Sequence, residues 1–173
     1  MNFFRILGCA GILVLEGCAS SASSSRSAVD PATMAALHPA QEKLCIVIAN
    51  HDDKSDDITS EIASLKEAIS KGIQKENIFA AVGDDNANVT LTVTITHLKK
   101  VDGFTRVMMA IMYGPARISV DYTLTDTASR TIYRSGHINA QSDNLGGLSG
   151  YQGVTTQAFA VLAQKLALEL KAS

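Results

Sequence analysis

A strictly alternating segment in the middle of the chain constrains the fold more than any other feature. Val89, Leu91, Val93 and Ile95 alternate with four threonines between residues 89 and 96. Successive side chains of a β-strand point to opposite faces of the sheet. The pattern therefore predicts a strand with an aliphatic face against a core and a threonine face in water.

A second alternating segment follows, and it predicts a hairpin. Ile118, Val120, Tyr122 and Leu124 alternate with polar residues, and residues 126–129 then form a polar turn leading into a further strand at 131–141. Shorter apolar runs at 44–49 and 78–82 predict two more strands.

Two segments have the apolar spacing of amphipathic helices, with one stripe each. The first stripe consists of Ile58, Ile62, Leu65, Ile69 and Ile73, and the second of Phe159, Leu162, Leu166 and Leu170. Asp56 or Asp57 is placed to cap the first helix, and the second should begin near Thr155. We therefore expect an α+β fold in two layers: a mostly antiparallel sheet of about five strands with two helices on one face.

The beginning of the sequence has the layout of a bacterial lipoprotein signal. Arg5 precedes ten uncharged, mostly apolar residues, a run far too short for a transmembrane helix. It ends in Leu15-Glu16-Gly17-Cys18, which resembles a lipobox, although a small residue is commoner at the Glu16 position. The resemblance implies a lipid on the Cys18 sulfur. Ala19 rather than Asp follows, which favours the outer membrane; an uncleaved anchor and an ordinary secreted protein are the alternatives.

These patterns divide the chain into three parts. Residues 1–17 are predicted to be the signal peptide, 18–42 the lipidated cysteine with a flexible tether, and 43–173 a single α+β periplasmic domain. The tether prediction rests on residues 19–30, which are small and polar and have too little apolar area to fold.

Charge and cysteine content exclude some classes of function. The net charge is −2 and no basic block is present, which argues against a nucleic-acid partner. In the predicted mature chain Cys45 is the only cysteine besides Cys18, so it has no partner for an internal disulfide. It lies in an apolar run, and we therefore predict a buried, inert thiol.

No constellation in the sequence indicates catalysis, a metal or a cofactor. The acidic group at His51, Asp52, Asp53, Asp56 and Asp57 lacks the spacing of a calcium loop, and helix capping explains it. His97 continues the parity of the aliphatic face, and His137 lies on a neighbouring strand. His97, His137 and a carboxylate could form a site across neighbouring strands, but no spacing in the sequence requires it. No serine lies in a nucleophile elbow.

An uncharged segment after Arg106 is the candidate interaction surface. It contains Met108, Met109, Ile111, Met112 and Tyr113 and is hard to leave exposed in water. It either packs on the core as a connector or contacts a partner or a membrane.

The layout around this segment resembles a known family. A threonine-alternating strand precedes Arg106 and an apolar connector containing Gly114. A strand ending in Leu124-Thr125-Asp126, a turn, a strand, a Gly/Ser-rich loop and a closing helix follow. This is similar to the bacterial lipoprotein family known as domain of unknown function four-four-ten, over roughly residues 43–171. The layout is more weakly similar to the curli-secretion lipoprotein and to lipoprotein activators of peptidoglycan synthases. The family implies an envelope location and a small α+β fold, but no reaction.

Taken together, the sequence predicts a lipoprotein on the periplasmic side of the outer membrane. We expect no enzymatic activity, but a binding or assembly role with a protein partner in an envelope complex. An oligomeric secretion-type component and an envelope enzyme are the alternatives.

Overall fold

The computed structural model describes residues 21–27, 37–52, 58–100, 115–142 and 154–171. These residues form six strands, two long helices and a short 3-10 turn at Pro39–Gln41. The strands are β1 (Ser21–Arg26), β2 (Lys43–Asn50), β3 (Ala81–Val82), β4 (Val89–Lys99), β5 (Arg117–Asp126) and β6 (Ile132–Gln141). The helices are α1 (Thr59–Lys75) and α2 (Val154–Lys171).

All six strands belong to one sheet in the order β1-β6-β5-β4-β2-β3. The pairs β1–β6, β6–β5 and β5–β4 are antiparallel, whereas β2 runs parallel to both β4 and β3. The predicted α+β class and the mostly antiparallel sheet are confirmed. The sheet has six strands rather than about five because the segment before residue 27 supplies one.

The sheet has one covered face and one open face, as the alternation in β4 predicts. The aliphatic residues of β4, from Val89 to Ile95, are at most 1% exposed, whereas the threonines between them are partly exposed. Helix α2 packs over β5, β6 and β1, helix α1 packs over β2 and β3, and the two helices pack on each other. The core lies between the helices and this face, which confirms the two-layer arrangement.

Both predicted helical stripes point into this core. Leu65, Ile69 and Ile73 of α1 are buried, and so are the four predicted residues of α2. The helices approach closely at Gly72, where an added Cβ would lie 3.1 Å from the carbonyl oxygen of Ala163. A larger residue at Gly72 would push the helices apart.

The beginning of α1 differs from the prediction. Asp56 and Asp57 lie outside the described residues, and the N-cap position belongs to Ile58, which makes no side-chain capping hydrogen bond. Ile58 is 4% exposed, so burial of its side chain, rather than a polar cap, secures this end of the helix. The strand predicted at 78–82 is reduced to Ala81–Val82, and Ile78 and Phe79 pack into the core before it.

The prediction of a flexible tether is wrong for residues 21–26. Ser21–Arg26 pairs with β6 along its whole length, from Ser21 opposite Gln141 to Arg26 opposite Gly136. Small polar residues have little apolar area to bury, but an antiparallel ladder satisfies their backbone groups. The neighbouring strand, which composition does not reveal, decides the structure of this segment.

The prediction of a buried Cys45 is also wrong. Its neighbours Leu44 and Ile46 point to the core, so Cys45 falls on the open face, where it is partly exposed. Its thiol donates to Asp84 Oδ1 over 3.6 Å. Partial burial first, and then the negative charge of Asp84, raise the pKa of the Cys45 thiol. The predicted inertness therefore rests on a low thiolate population and not on complete shielding of the thiol from solvent.

Candidate functional site

The sequence-predicted site residues lie outside the described part of the chain. They are Cys18, the predicted lipidation site, and Arg106, Met108, Met109, Ile111, Met112 and Tyr113. Their roles stay predictions. The nearest described elements in the sequence are β1, which begins three positions after Cys18, and β4 and β5, which end at Lys99 and begin at Arg117 on either side of the Arg106 segment.

The open face of the sheet carries many polar side chains. Its side chains are mostly hydroxyls and amides, in cross-strand rows set by the register. One row is Ser21, Gln141, Arg117 and Lys99; the next is Ser23, Asn139, Ser119 and His97; the third is Ser25, His137, Asp121 and Thr94. Hydrogen bonds join neighbours within the rows, including Gln141 Nε2 to Ser21 Oγ at 3.0 Å and Ser119 Oγ to Asn139 Oδ1 at 2.6 Å.

An irregularity in β4 places His97 on this open face. The register between β4 and β5 shifts between Ile95 and His97, so His97 faces Ser119 and Leu98 turns into the core. The expectation that His97 continues the aliphatic parity is therefore wrong, because a bulge inserts one residue and reverses the alternation. Asp52 stabilises this bulge. Its Oδ2 accepts a hydrogen bond from the Leu98 N–H over 2.9 Å and lies 3.8 Å from His97 Nδ1.

His137 has a side-chain oxygen close to each of its ring nitrogens. Its Nδ1 lies 2.7 Å from Asp121 Oδ1, and its Nε2 lies 3.1 Å from Asn139 Oδ1. With both ring nitrogens engaged, the imidazole has no nitrogen directed at a substrate. The geometry that would favour an enzyme, a deep pocket holding His97, His137 and a carboxylate, is not formed by the described residues.

A shallow groove crosses the end of the open face where β1 begins. Its volume is about 580 Å³, and Ser21, Ser23, His97, Arg117, Ser119, Asn139 and Gln141 contribute to its wall. Every residue that lines it is neutral or basic. Arg117 is exposed and has no ion-pair partner in the described part of the chain. The groove therefore offers hydrogen-bond donors and positive charge without a lining carboxylate.

A buried ionic cluster under α2 is a feature that the sequence patterns did not predict. Glu169, which is 6% exposed, accepts from Ser24 Oγ at 2.6 Å and from Arg26 Nε, and Lys165 Nζ lies 3.3 Å from the same carboxylate. The guanidinium of Arg134 donates to the backbone carbonyl of Glu169. The cluster thus joins β1 and β6 to the helix above them.

The charge balance of this cluster keeps Glu169 ionised. Burial by itself raises the pKa of the Glu169 carboxyl, but the hydrogen bonds from Ser24, Arg26 and Lys165 outweigh it and lower the pKa to about 2. The sequence contains one signal for this cluster. In the alternation of β6, Arg134 lies on the same side as Ile138 and Ala140, which face the core. A charged residue on a core-facing position needs a buried partner.

Two further observations concern metals and membranes. Across the described ranges, no three His, Cys, Asp or Glu side chains are grouped to hold a metal ion. Asp53, Asp56 and Asp57 of the acidic segment lie outside those ranges. In the same part of the chain, neither helix has the length and apolar content needed to cross a membrane.

Asp126, one of the residues that carry the family resemblance, organises the β5–β6 turn. Its Oδ1 accepts from the Ser129 N–H at 2.6 Å and the Ala128 N–H at 3.0 Å. Arg130 adopts φ 62°, a left-handed conformation that favours glycine. The family resemblance implies a glycine in this turn, and Ser129-Arg130 takes its place, with Arg130 in that conformation. Arg106 and Gly114 lie outside the described residues.

Three solved structures of bacterial proteins are similar to this chain. PelC from Paraburkholderia phytofirmans, solved as a dodecamer, has a TM-score of 0.53 and 15% identity, covering 83% of this chain and 96% of PelC. Protein XCC0632 from Xanthomonas campestris has a TM-score of 0.50 and 10% identity, covering 75% and 81% of the two chains. Lipoprotein GNA1162 from Neisseria meningitidis is less similar, with a TM-score of 0.47 and 10% identity, covering 76% and 99%.

The comparison with protein families gives the clearest relationship. No curated protein matches the sequence. The family described as "Domain of unknown function (DUF4410)" matches residues 25–148, well over half of the chain. The match begins within β1, earlier than the sequence layout implied, and includes the whole open face from β2 to β6. The resemblance seen in the sequence is confirmed, and the chain belongs to the DUF4410 family.

Proposed function

We propose that this protein is a lipoprotein anchored through Cys18 to the periplasmic side of the outer membrane. In this proposal it acts without catalysis, as a binding or assembly component of an envelope complex. The observation that carries the proposal is the Leu15-Glu16-Gly17-Cys18 motif at the end of a short apolar run with one preceding positive charge. Two acyl chains are enough for stable anchoring, so no spanning helix is required.

The surface of the domain supports a binding role. The open face is rich in hydroxyl and amide groups, and each ring nitrogen of His137 on it lies close to a side-chain oxygen. The groove is open to solvent and about half of its lining is polar, unlike the enclosed and mostly apolar clefts that bind small substrates. A protein partner can use this face, the predicted surface from Arg106 to Tyr113, or both.

A second candidate is an oligomeric secretion-type component. It is favoured by one specific observation: PelC, which has the same fold at 15% identity, is a dodecamer. Chains that form closed rings present two different surfaces to their neighbours. In this chain the two edges of the sheet, β1 and the two-residue β3, are different surfaces of this kind.

Metabolic labelling with fatty acid tests the anchor. The native chain should incorporate label and remain with the membrane fraction, whereas Cys18→Ser should do neither. Cys9→Ser and Cys45→Ser are matched controls, because each removes one thiol and leaves Cys18 in place. Label on the Cys18→Ser variant would contradict the proposal.

Affinity purification from membranes, with native mass spectrometry, tests the complex. A partner in stoichiometric amount supports the adaptor role, and a defined homo-oligomer supports the secretion-type role. Replacing Met108 and Met109 with Gln distinguishes the two interpretations of their segment. If it binds the partner, the melting temperature stays nearly unchanged and co-purification is lost. If it packs on the core, the melting temperature falls.

A further inference from the structure

Strand β1 connects the proposed lipid anchor to the folded domain. Ser21 follows Cys18 by three positions, and three residues span at most roughly 10–11 Å. Ser21 faces Gln141 at the end of β6, so this end of the sheet begins within that distance of the anchor. A flexible connection from Cys18 to residue 42 would instead reach roughly 80 Å when extended. The pairing of β1 therefore decides how far the domain can move from the membrane.

Backbone pairing and a buried carboxylate hold β1 to the domain. Every residue of the strand faces a residue of β6. The Ser27 N–H continues this ladder and donates to the Ser135 carbonyl oxygen over 3.0 Å. On the core-facing side, Ser24 and Arg26 donate to Glu169, which is 6% exposed. Release of β1 would uncover the edge of β6 and leave the carboxylate with fewer donors, so the paired state is the stable one.

We infer that β1 is a mounting strand that holds the sheet end at Ser21 and Gln141 next to the membrane. The inference rests on the proposed anchoring at Cys18. With β1 paired, only residues 19 and 20 lie between the lipidated cysteine and the sheet. Strand β4 has 11 residues, each advancing about 3.3 Å, so the opposite end of the sheet extends roughly 36 Å further. The domain then meets a partner within roughly 45–50 Å of the membrane surface.

Two insertions of the same flexible sequence test the mounting strand in the full, lipidated chain. A Gly/Ser segment of about 24 residues is placed either between Ala19 and Ser20, before β1, or between Asp30 and Pro31, after β1. If β1 is paired, the first insertion moves the domain outward by roughly 15–20 Å and the second leaves its distance unchanged. If residues 18–42 form one flexible connection, both insertions lengthen it equally.

Energy transfer from a dye on the domain to acceptor dyes on lipid headgroups measures this distance in reconstituted vesicles. Asn139 is exposed and faces Ser23, so Asn139→Cys places the dye beside the mounted end of the sheet. Cys45→Ser in the same chain leaves the mature, lipidated protein with no other free thiol. We expect strong transfer in this parent chain and after the insertion behind β1. Most of the transfer should be lost after the insertion before β1.

Proline substitutions test whether β1 itself is responsible. Because the Ser27 N–H points to β6, the alternation of the strand directs the N–H groups of Ser23 and Ser25 to β6 and that of Ala22 away from it. Ser23→Pro together with Ser25→Pro removes two ladder donors, so β1 should be released and the transfer should fall. Ala22→Pro is the matched control and should keep the transfer. The insertions lie outside β1 and keep the test decisive if the double proline variant folds poorly.

Three results would overturn the inference: an equal fall in transfer with the two insertions, no fall with the insertion before β1, and unchanged transfer in the double proline variant. The failures of the two proposals are distinguishable. Absence of fatty-acid label on the native chain removes the anchor. Label on the native chain together with an equal effect of both insertions removes only the mounting role of β1.

Discussion

Gly136 is the position where the sheet leaves no room for a side chain. A Cβ there would lie 2.5 Å from the backbone oxygen of Ser25 in β1 and 2.9 Å from the Tyr122 hydroxyl. The Tyr122 ring packs over the glycine from β5, the neighbouring strand. Glycine at this position thus allows β1 and Tyr122 to approach β6 at the same time.

We expect Gly136→Ala to destabilise the domain by about 1–3 kcal/mol, because the methyl group forces apart backbone and ring atoms that cannot move independently. Gly83→Ala is the control, since its Cβ would meet only the Lys43 Cε at 3.7 Å. Urea denaturation of both variants measures the difference. Equal stabilities would mean that β1 can shift without cost.

At the scale of elements, β4 separates the two faces of the sheet. Leu91 and Val93 are fully buried under the helices, and Thr92 lies between them on the open face. Truncating Leu91 or Val93 to Ala should lower the free energy of unfolding by about 1–4 kcal/mol through lost burial and a residual cavity. Thr92→Ala should cost less than about 1 kcal/mol. Similar losses on both faces would indicate a second layer over the threonines.

Strand β1 is held to the domain by its inward side. Ser24 and Arg26 hydrogen-bond Glu169, whereas Ser23 and Ser25 are exposed on the outward side. The Ser24→Ala, Arg26→Gln variant should be less stable by about 1–3 kcal/mol, because Glu169 stays buried with fewer donors. The Ser23→Ala, Ser25→Ala variant is the matched control and should unfold like the parent chain.

Deleting residues 18–27 should have a larger effect than either variant. It uncovers the edge of β6 and removes two donors from Glu169, so we expect a lower melting temperature and concentration-dependent association. Light scattering and thermal denaturation check this. A truncated chain that stays monomeric at the original melting temperature would show that the domain does not need β1.

At the scale of the whole molecule, Glu169 makes stability depend on pH in the acid range. The pKa of its carboxyl is about 2 in the folded protein against about 4.5 unfolded, so the folded state favours the charged form. Its contribution is therefore complete above about pH 4.5 and is lost as the pH falls towards 2. The shift corresponds to about 3 kcal/mol.

Glu169→Gln should therefore be less stable than the parent chain at neutral pH and should lose less stability on acidification. Glu67→Gln is the control, because Glu67 pairs with Lys71 on the exposed side of α1 and its ion pair contributes little. Urea denaturation at several pH values between about 2 and 7 measures both. Parallel pH profiles for the parent chain and Glu169→Gln would contradict this assignment.

The sequence by itself determined the elements whose signals are local. Period two in β4 and β5 and the spacings of three and four in α1 and α2 arise from one element facing one core. These patterns were enough to predict the α+β class, the two layers and the open polar face. The lipobox-like motif and the family likeness are local signals of the same kind, and the family match confirms the second.

Tertiary structure alone decided the features that depend on a neighbour. Composition described Ser21–Arg26 as a tether, but pairing with β6 and the Glu169 carboxylate made it a strand. One extra residue in β4 moved His97 to the open face, and strand parity moved Cys45 there too. The cross-strand row from Ser21 to Lys99 joins residues of four strands that are far apart in sequence, from position 21 to position 141. Its charges come together only when register is set, because register is a property of strand pairs and not of single strands.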